Sequence, residues 1–323
     1  MVTCQAGRPS SDAAQKLTTK QTAGPSSLAT DGLLASVLAA HQVKGAPGSG
    51  FCKDGDGVVA GGGGLSGAWN FRDVAEETGI RAGRLFRSSE LSGLDEAGRG
   101  SLRDLGVTDV VDLRSDKEVE RRGPGQVPEG VSIHRWPFRE LGSRAPHEQG
   151  FEQMLAQMTD GATDVTAAAG QYMTEEYAKY PAMAGAQTAV RQVLSLLADQ
   201  RPVLAHCFAG KDRTGFTVAV VLEAAGVDRD AVMADYMRSN DAVPQLRESI
   251  LEAMRNRSAE QPTDEIVTFA EASLAGEVLG VREAYLHAAH SAIDDQYGSF
   301  SSYLDAVGVT YEQVRRLRDD LCG

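Results

Sequence analysis

The chain has 323 residues, a formal net charge of -13 and a hydrophobic fraction of 42%, values typical of a folded globular protein. The acidic balance argues against nucleic acid as a general partner, because nucleic acid attracts basic surfaces. No run of about 18 apolar residues occurs, so we expect neither a transmembrane helix nor a stable membrane anchor.

The first 64 residues differ in composition from the rest. They are rich in Gly, Ser, Thr and Ala and end in GGGG, a composition that predicts a disordered leader. The apolar stretch from Leu33 to Ala40 lies far from Met1, so an ordinary signal peptide is not expected. We predict one folded domain over residues 65–323 and leave open whether the mature protein contains the leader.

Short apolar strands alternate with helical segments through the first half of this domain. The pattern predicts strands at residues 84–88, 107–114, 132–138 and 202–206, and helices at 94–106, 172–179, 182–198 and 214–225. A polar insert over residues 139–169 shows little pattern. This alternation predicts an α/β fold with a parallel sheet covered by helices.

The chain after Gly226 is predicted to be almost entirely helical. Asp228 can cap a short helix that runs to Met237, and apolar stripes mark further helices within residues 243–274. Two or three more helices are expected between residue 280 and the C-terminus.

The sequence HCFAGKDRTG, residues 206–215, joins the predicted strand at 202–206 to the predicted helix at 214–225. A loop between a strand and a helix N-terminus directs backbone N–H groups inward and forms an anion site. Gly210 permits the unusual backbone conformation that such a turn needs. The predicted anion-binding residues are Phe208, Ala209, Gly210, Lys211 and Thr214.

Cys207 would lie at the bottom of this cradle, where the amides and Arg213 favour its thiolate. Arg213 follows Cys207 by six positions, so its planar guanidinium can hold two oxygens of a tetrahedral anion. Thr214 can donate its hydroxyl to the sulfur. His206 is interpreted as a residue that orients the loop.

A leaving oxygen needs a proton donor. Asp212 lies inside the loop and is the first candidate, and Asp112, at the end of a neighbouring predicted strand, is the second. Lys211 adds positive charge, which favours substrates with more than one phosphate or with an acidic neighbour.

Several segments resemble the cysteine-dependent tyrosine and lipid phosphatases of mycobacteria. The similarity extends from about Gly67 to the C-terminus and includes the segments GAWNFRDVA, GRLFRSSELS, DVVDLRS, QYMTEEY, RPVLAHCFAGKDRTGF, ADYMRSNDAVPQLR and GEVLGVREAYL. It implies a tyrosine-phosphatase-like fold, a phosphocysteine mechanism, and a helical lid at about residues 243–274. Cys207 would be the nucleophile and Arg213 the phosphate-binding arginine.

The resemblance also implies the substrates: proteins that carry phosphotyrosine, phosphoserine or phosphothreonine, and phosphoinositides. It implies no metal and no cofactor. The chain would act in the cytoplasm, or after secretion without an ordinary signal peptide as a virulence-type phosphatase.

One departure concerns the proton donor. Many tyrosine phosphatases use the aspartate of a Trp-Pro-Asp loop, whereas Trp136-Pro137 is followed here by Phe138. This departure favours Asp212 as the proton donor. The segment Asn70-Phe71-Arg72-Asp73 is predicted to form a structural hydrogen-bond network.

Other functions are compatible with parts of this sequence pattern. A phosphoinositide 3-phosphatase as the main activity and a phosphate-binding pseudophosphatase both remain open, and lid helices that bind a protein partner could add a second role. Sulfur-transfer enzymes usually have shorter loops or lack the Arg-Thr-Gly ending. Arsenate reductases need resolving cysteines nearby, and Cys4, Cys52 and Cys322 are poorly placed for that role.

Overall fold

A five-stranded sheet forms the centre of the protein. The computed structural model describes residues 64–138, 165–257 and 276–323. Its strands are β1 (Arg72–Asp73), β2 (Leu85–Ser88), β3 (Asp109–Asp112), β4 (Ser132–Arg135) and β5 (Val203–His206), in the spatial order β1-β2-β5-β3-β4. The predicted α/β class is confirmed, with β2, β5, β3 and β4 parallel. The short antiparallel strand β1 was not predicted.

Twelve α-helices lie among the described residues. They are α1 (Ala75–Thr78), α2 (Glu96–Asp104), α3 (Asp116–Arg122), α4 (Val165–Lys179), α5 (Ala184–Ala198), α6 (Asp212–Ala225), α7 (Arg229–Met237), α8 (Val243–Arg257), α9 (Gly276–Leu279), α10 (Glu283–Tyr297), α11 (Phe300–Ala306) and α12 (Tyr311–Cys322). Short 3-10 helices precede α5 and α8, at Tyr180–Ala182 and Arg238–Ala242. None of these described helices has both the length and the apolar character that crossing a membrane requires.

Alternation along the strands divides the core between the two faces of the sheet. Phe86, Val110 and Leu204 pack with Leu102 of α2 on one face. Leu85, Val111 and Val203 join a larger cluster on the other face, where α5, α6, α10 and α12 cover the sheet. The central strand β5 is therefore buried along its whole length.

The strand register aligns the last residues of the four parallel strands at one edge of the sheet, so the segments that follow them all begin there. Ser88 and Asp112 both lie opposite His206, and Asp112 also lies opposite Arg135. The carboxyl ends of parallel strands in an open α/β sheet are where ligands bind. The loop that follows His206 therefore begins at the centre of this edge.

Helix α3 was missed by the sequence analysis, although its start has a recognisable signature. Ser115 accepts a hydrogen bond from the N–H of Glu118, and the Glu118 side chain accepts one from the N–H of Ser115. This reciprocal arrangement is a capping box, which the sequence Ser-Asp-Lys-Glu could have indicated. Helix α4 also begins earlier than predicted and includes the last residues of the predicted polar insert.

Candidate active site

The loop at residues 207–211 leads from β5 directly into α6. Helix α6 begins at Asp212 and has 14 residues, and no side chain in the described part of the chain caps its N-terminus. Its first N–H groups are therefore open to an anion, and the helix dipole adds partial positive charge there. Cys207 lies at the start of the loop and is only 2% exposed.

Three successive carbonyl groups of the loop are held by groups outside it, and the fourth, that of Lys211, is held by the first turn of α6 and by Arg87 Nη2 at 3.3 Å. They accept hydrogen bonds as follows: Phe208 from the N–H of Glu90 (3.0 Å), Ala209 from Asn70 Nδ2 (3.0 Å), Gly210 from Arg87 Nη2 (2.8 Å), and Lys211 from the N–H of Gly215 (2.9 Å). Within a trans peptide the carbonyl and the next N–H point in opposite directions. No cis peptide occurs in the described chain, so the N–H groups of residues 209–212 face away from these outer partners. The fixed carbonyls thus orient an inward set of donors.

Gly210 is required by this geometry. Its φ is +67°, and a Cβ built there would lie 2.1 Å from the carbonyl oxygen of Ser88. Both the left-handed conformation and the close approach to β2 exclude a side chain. The unusual backbone conformation predicted for this glycine agrees with its positive φ.

Arg213 forms a bidentate ion pair with Glu118, a residue that the sequence analysis did not single out. Arg213 Nη1 and Nη2 donate to the two Glu118 carboxylate oxygens at 2.7 and 2.8 Å, and Nη1 also donates to the Leu113 carbonyl at 3.3 Å. Burial opposes the charged guanidinium, but the charges of Glu118 and Cys207 raise the pKa of Arg213 well above its ordinary value. Arg213 is therefore a permanent cation with a fixed plane.

Asp212 and Lys211 form a pair beside the loop. Lys211 Nζ lies 2.9 and 2.8 Å from the two Asp212 oxygens and donates to the Gly280 carbonyl at 3.2 Å. The Tyr177 hydroxyl also donates to Asp212 Oδ1 at 2.9 Å, and itself accepts from the Tyr236 hydroxyl at 2.9 Å. The Asp212 side chain remains 21% exposed. It is thus oriented but still accessible from solvent.

Asp112 is placed differently. It is 1% exposed, and its carboxylate accepts from Arg114 Nε at 2.9 Å and from Arg114 Nη2 at 2.8 Å. Burial opposes its ionisation, but the hydrogen bond from Arg114 and the nearby His206 hold the pKa of Asp112 below its ordinary value. Arg114 also donates to Glu90 at 2.8 Å. Asp112 is therefore part of a buried ion network and, unlike Asp212, is not accessible from solvent.

Two buried polar atoms have no hydrogen-bond partner in the described chain: Thr214 Oγ1 and His206 Nε2, the latter 3.9 Å from Asp112 Oδ1. His206 Nδ1 lies 3.2 Å from the Cys207 carbonyl oxygen. Burial lowers the pKa of His206, so its ring is neutral near pH 7. Thr214 Oγ1 has a hydrogen-bonding capacity that a sulfur or an anion at Cys207 could use.

The apolar face of α8 covers part of the loop. Ala209 packs in one cluster with Leu246 of α8 and Leu279 of α9, and Phe208 and Trp69 lie against it. The Phe208 ring also meets the Arg122 guanidinium at 4.6 Å. Helix α8 is the first part of the predicted lid, and residues 258–274 of that lid lie outside the described residues, as does the leader up to residue 63.

The segment Asn70-Phe71-Arg72-Asp73 forms hydrogen bonds to distant parts of the chain, as predicted. Asp73 Oδ1 accepts from the N–H of Ala75 at 3.0 Å, and Oδ2 accepts from the N–H of Gly83 at 2.6 Å. Asn70 reaches the loop and Arg72 reaches α7. Trp136 belongs to the Trp-Pro pair that is followed here by Phe138 and not by an aspartate. It is half-buried and stacks on His134 with 5.0 Å between ring centroids.

Comparison with known proteins adds independent findings. Residues 64–323 match the model of the tyrosine phosphatase family. The chain is 52% identical over 271 residues to triple specificity protein phosphatase PtpB of Mycobacterium tuberculosis, an alignment that covers 80% of this chain and 98% of that protein. It is 31% identical over 254 residues to a putative tyrosine-protein phosphatase of Cupriavidus necator, covering 78% and 82%. It is 26% identical over 244 residues to a tyrosine-protein phosphatase of Nostoc commune, covering 75% of each.

Proposed function

Because the chain belongs to the tyrosine phosphatase family and is a protein-tyrosine phosphatase, we propose that it hydrolyses phosphomonoesters through a phosphocysteine intermediate on Cys207. One observation supports this most directly. The loop has its carbonyls fixed outward from residue 208 to residue 211, and Cys207 lies buried at its start. That arrangement is suited to a tetrahedral dianion above a thiolate.

The first step is binding and in-line displacement. The N–H groups of residues 209–212 and the guanidinium of Arg213 bind the three non-bridging oxygens of the phosphoryl group. Cys207 Sγ attacks phosphorus; the S–P bond forms as the ester P–O bond breaks, and the leaving oxygen takes a proton from Asp212. Positioning and charge stabilisation supply most of the rate enhancement in such a transfer.

We assign the proton donor to Asp212 because of its accessibility and orientation. Tyr177 and Lys211 fix its carboxyl group next to the loop while leaving it open to a substrate. Asp112, by contrast, is buried in its ion pair with Arg114. Replacing Asp212 by Asn should slow substrates with poor leaving groups more than those with good ones, whereas Asp112→Asn should affect both alike and mainly through stability.

The second step is hydrolysis of the phosphocysteine. The Asp212 carboxylate takes a proton from water, the water oxygen attacks phosphorus, and the S–P bond breaks to release Cys207 and inorganic phosphate. Thr214 Oγ1, which has no other partner in the described chain, donates to the departing sulfur. His206 stays neutral and orients the loop through its contact with the Cys207 carbonyl.

We propose phosphotyrosine, phosphoserine, phosphothreonine and phosphoinositide substrates for this site. Lys211 is the residue that favours phosphoinositides as substrates. Its ammonium group lies beside the loop in an ion pair with Asp212, and a second phosphate of the lipid headgroup could replace Asp212 as its partner. The name of the M. tuberculosis relative, triple specificity protein phosphatase, supports a broad substrate range. We further propose that the chain acts in the cytoplasm or after export without an ordinary signal peptide, as the resemblance implies. Detection of the chain in the culture filtrate of intact cells would decide between these.

The test is steady-state hydrolysis of a phosphotyrosine peptide and a phosphoinositide by the wild type and by Cys207→Ser. We expect turnover by the wild type, no effect of EDTA, reversible inhibition by vanadate, and an inactive serine variant. Trapping of phosphate on Cys207 in a rapidly quenched reaction would identify the intermediate. An absolute requirement for a divalent metal, or an active serine variant, would refute the mechanism. Binding of phosphate ligands without turnover would identify a pseudophosphatase.

A further inference from the structure

Two buried arginines converge on one buried carboxylate behind the loop. Asp235 of α7 is 1% exposed, and the side chains of Arg72 and Arg87 are 4% and 0% exposed. Arg72 Nε donates to Asp235 Oδ1 at 2.7 Å, and Arg87 Nη1 donates to Asp235 Oδ2 at 2.6 Å. The two cations are close to each other, because both donate to the Ser239 hydroxyl, at 3.3 and 3.2 Å.

Each arginine connects Asp235 to the loop through hydrogen bonds. Arg87 Nη2 donates to the carbonyls of Gly210 and Lys211 at 2.8 and 3.3 Å. Arg72 Nη1 donates to Asn70 Oδ1 at 2.6 Å, and Asn70 Nδ2 then donates to the Ala209 carbonyl at 3.0 Å. Three successive peptide groups of the loop thus depend on one carboxylate through two routes.

We propose that Asp235 is a positioning residue of the reaction, which holds Arg72 and Arg87 in place so that the loop presents its N–H groups to the phosphoryl group. This inference rests on the proposed function of the loop. Its physical basis is charge. Two adjacent guanidinium groups in a dry interior repel each other, and the carboxylate between them removes that repulsion and fixes both planes.

The protonation states agree with this arrangement. Burial opposes ionisation of Asp235, but the charges of Arg87 and Arg72 hold its pKa below the ordinary value. Burial and the charge of Arg87 lower the pKa of Arg72 to about 10, which leaves Arg72 charged near neutral pH. Asp235→Asn would keep the shape of the side chain but leave two cations without a counter-charge.

A matched control exists at the other end of β2. Asp320 of α12 is also 1% exposed and pairs with two arginines, Arg84 at 2.7 Å and Arg81 at 3.5 Å. Arg84 precedes β2, whereas the loop contacts Arg87 near the end of β2 and Glu90 after it. Asp320→Asn therefore removes another buried carboxylate that pairs with two arginines, away from the loop, although Arg84 and Arg81 are 16% and 45% exposed. It reports what the loss of a buried carboxylate costs where the loop is not involved.

The experiment compares wild type, Asp235→Asn and Asp320→Asn at a temperature where thermal unfolding shows all three folded. The readouts are kcat and KM for a phosphotyrosine peptide, the inhibition constant of inorganic phosphate, and the rate of Cys207 alkylation by iodoacetamide at pH 6. For Asp235→Asn we expect kcat/KM to fall about 100-fold, with weaker phosphate inhibition and about 10-fold slower alkylation. Asp320→Asn should stay within about threefold of wild type in every readout except melting temperature.

A second variant covers the case in which Asp235→Asn does not fold. Asn70→Asp keeps the acceptor for Arg72 but replaces the donor to the Ala209 carbonyl, so we expect about a 10-fold loss of kcat/KM with slower alkylation. Wild-type kinetics and alkylation in Asn70→Asp, or equal losses in Asp235→Asn and Asp320→Asn, would overturn the proposal. Failure of the proposed function would be separate, because Cys207→Ser would then remain active.

Discussion

Replacing Gly210 by alanine tests whether the close approach of the loop to β2 matters for catalysis. The new Cβ would lie 2.1 Å from Ser88 O, 2.4 Å from Ser88 C and 2.8 Å from Ser89 N. Since carbon contacts normally begin near 3.5 Å, the loop must move by about 1 Å. The φ of +67° adds about 1 kcal/mol for a residue with a side chain, and the overlap adds roughly 1–3 kcal/mol.

The chain supplies a close control for the conformational part of that cost. Gly79 has a φ of +64°, but a Cβ there would meet nothing within 4 Å. Gly79→Ala should therefore lose about 1 kcal/mol of unfolding free energy and keep its activity. Gly210→Ala should lose more stability and at least about 100-fold in kcat/KM, because a 1 Å displacement of a positioned group has an effect of that size.

The assay is denaturant unfolding of both variants, followed by steady-state kinetics on a phosphotyrosine peptide where both are folded. Similar stability losses in the two variants, or a Gly210→Ala enzyme within threefold of wild type, would show that the contact with Ser88 does not constrain the loop.

Three further predictions concern the groups around the loop. Glu118→Gln should lower kcat/KM about 10- to 100-fold and weaken vanadate inhibition, because a charged hydrogen bond to Arg213 contributes about 1.5–3 kcal/mol; unchanged inhibition would contradict this. Tyr177→Phe should slow esters with alkyl leaving groups about 3- to 10-fold more than aryl esters, since it removes a hydrogen bond that orients the Asp212 carboxyl group; an equal loss for both would contradict it. The lowered pKa of His206 means that the unfolded chain binds its proton more readily, so its contribution to stability is present above about pH 6.5 and decreases as the pH falls. Below that value, His206→Asn should reduce the pH dependence of the free energy of unfolding by up to about 1.4 kcal/mol per pH unit, and parallel curves of unfolding free energy against pH for the two proteins would exclude the effect.

The sheet was predictable because its strands are short apolar runs between polar turns. For three of the four predicted strands, both the first and the last residue lie within two positions of those in the structure. The fourth was predicted at 132–138, but in the structure it ends at Arg135. The two-residue strand β1 could not be predicted, since Arg72 and Asp73 are polar and form a strand only by pairing with Arg87 and Phe86. Pairing of that kind depends on tertiary structure and leaves no local pattern.

The residues of the candidate site that could be predicted are those that lie together in the sequence. Cys207, Lys211, Asp212 and Arg213 fall within the short segment 206–215, so their chemistry could be inferred from spacing. Glu118, Asp235 and Arg87 could not be inferred, because each lies on an element that is far from the loop in sequence. Arg87 donates to a carbonyl 123 positions away, and Glu118 accepts from a guanidinium 95 positions away.

A loop that keeps its cysteine and arginine can still fail if its carbonyls are not fixed, because its N–H groups then point in several directions and bind the transition state weakly. In this chain the fixing groups are Glu90, Asn70 and Arg87, with Asp235 behind the last two. We therefore expect that a chain with an intact HCFAGKDRTG sequence but without the equivalents of Asp235 and Glu118 would bind phosphate poorly and turn over slowly. The distinction between a phosphatase and a pseudophosphatase then depends on these distant residues as well as on the loop itself.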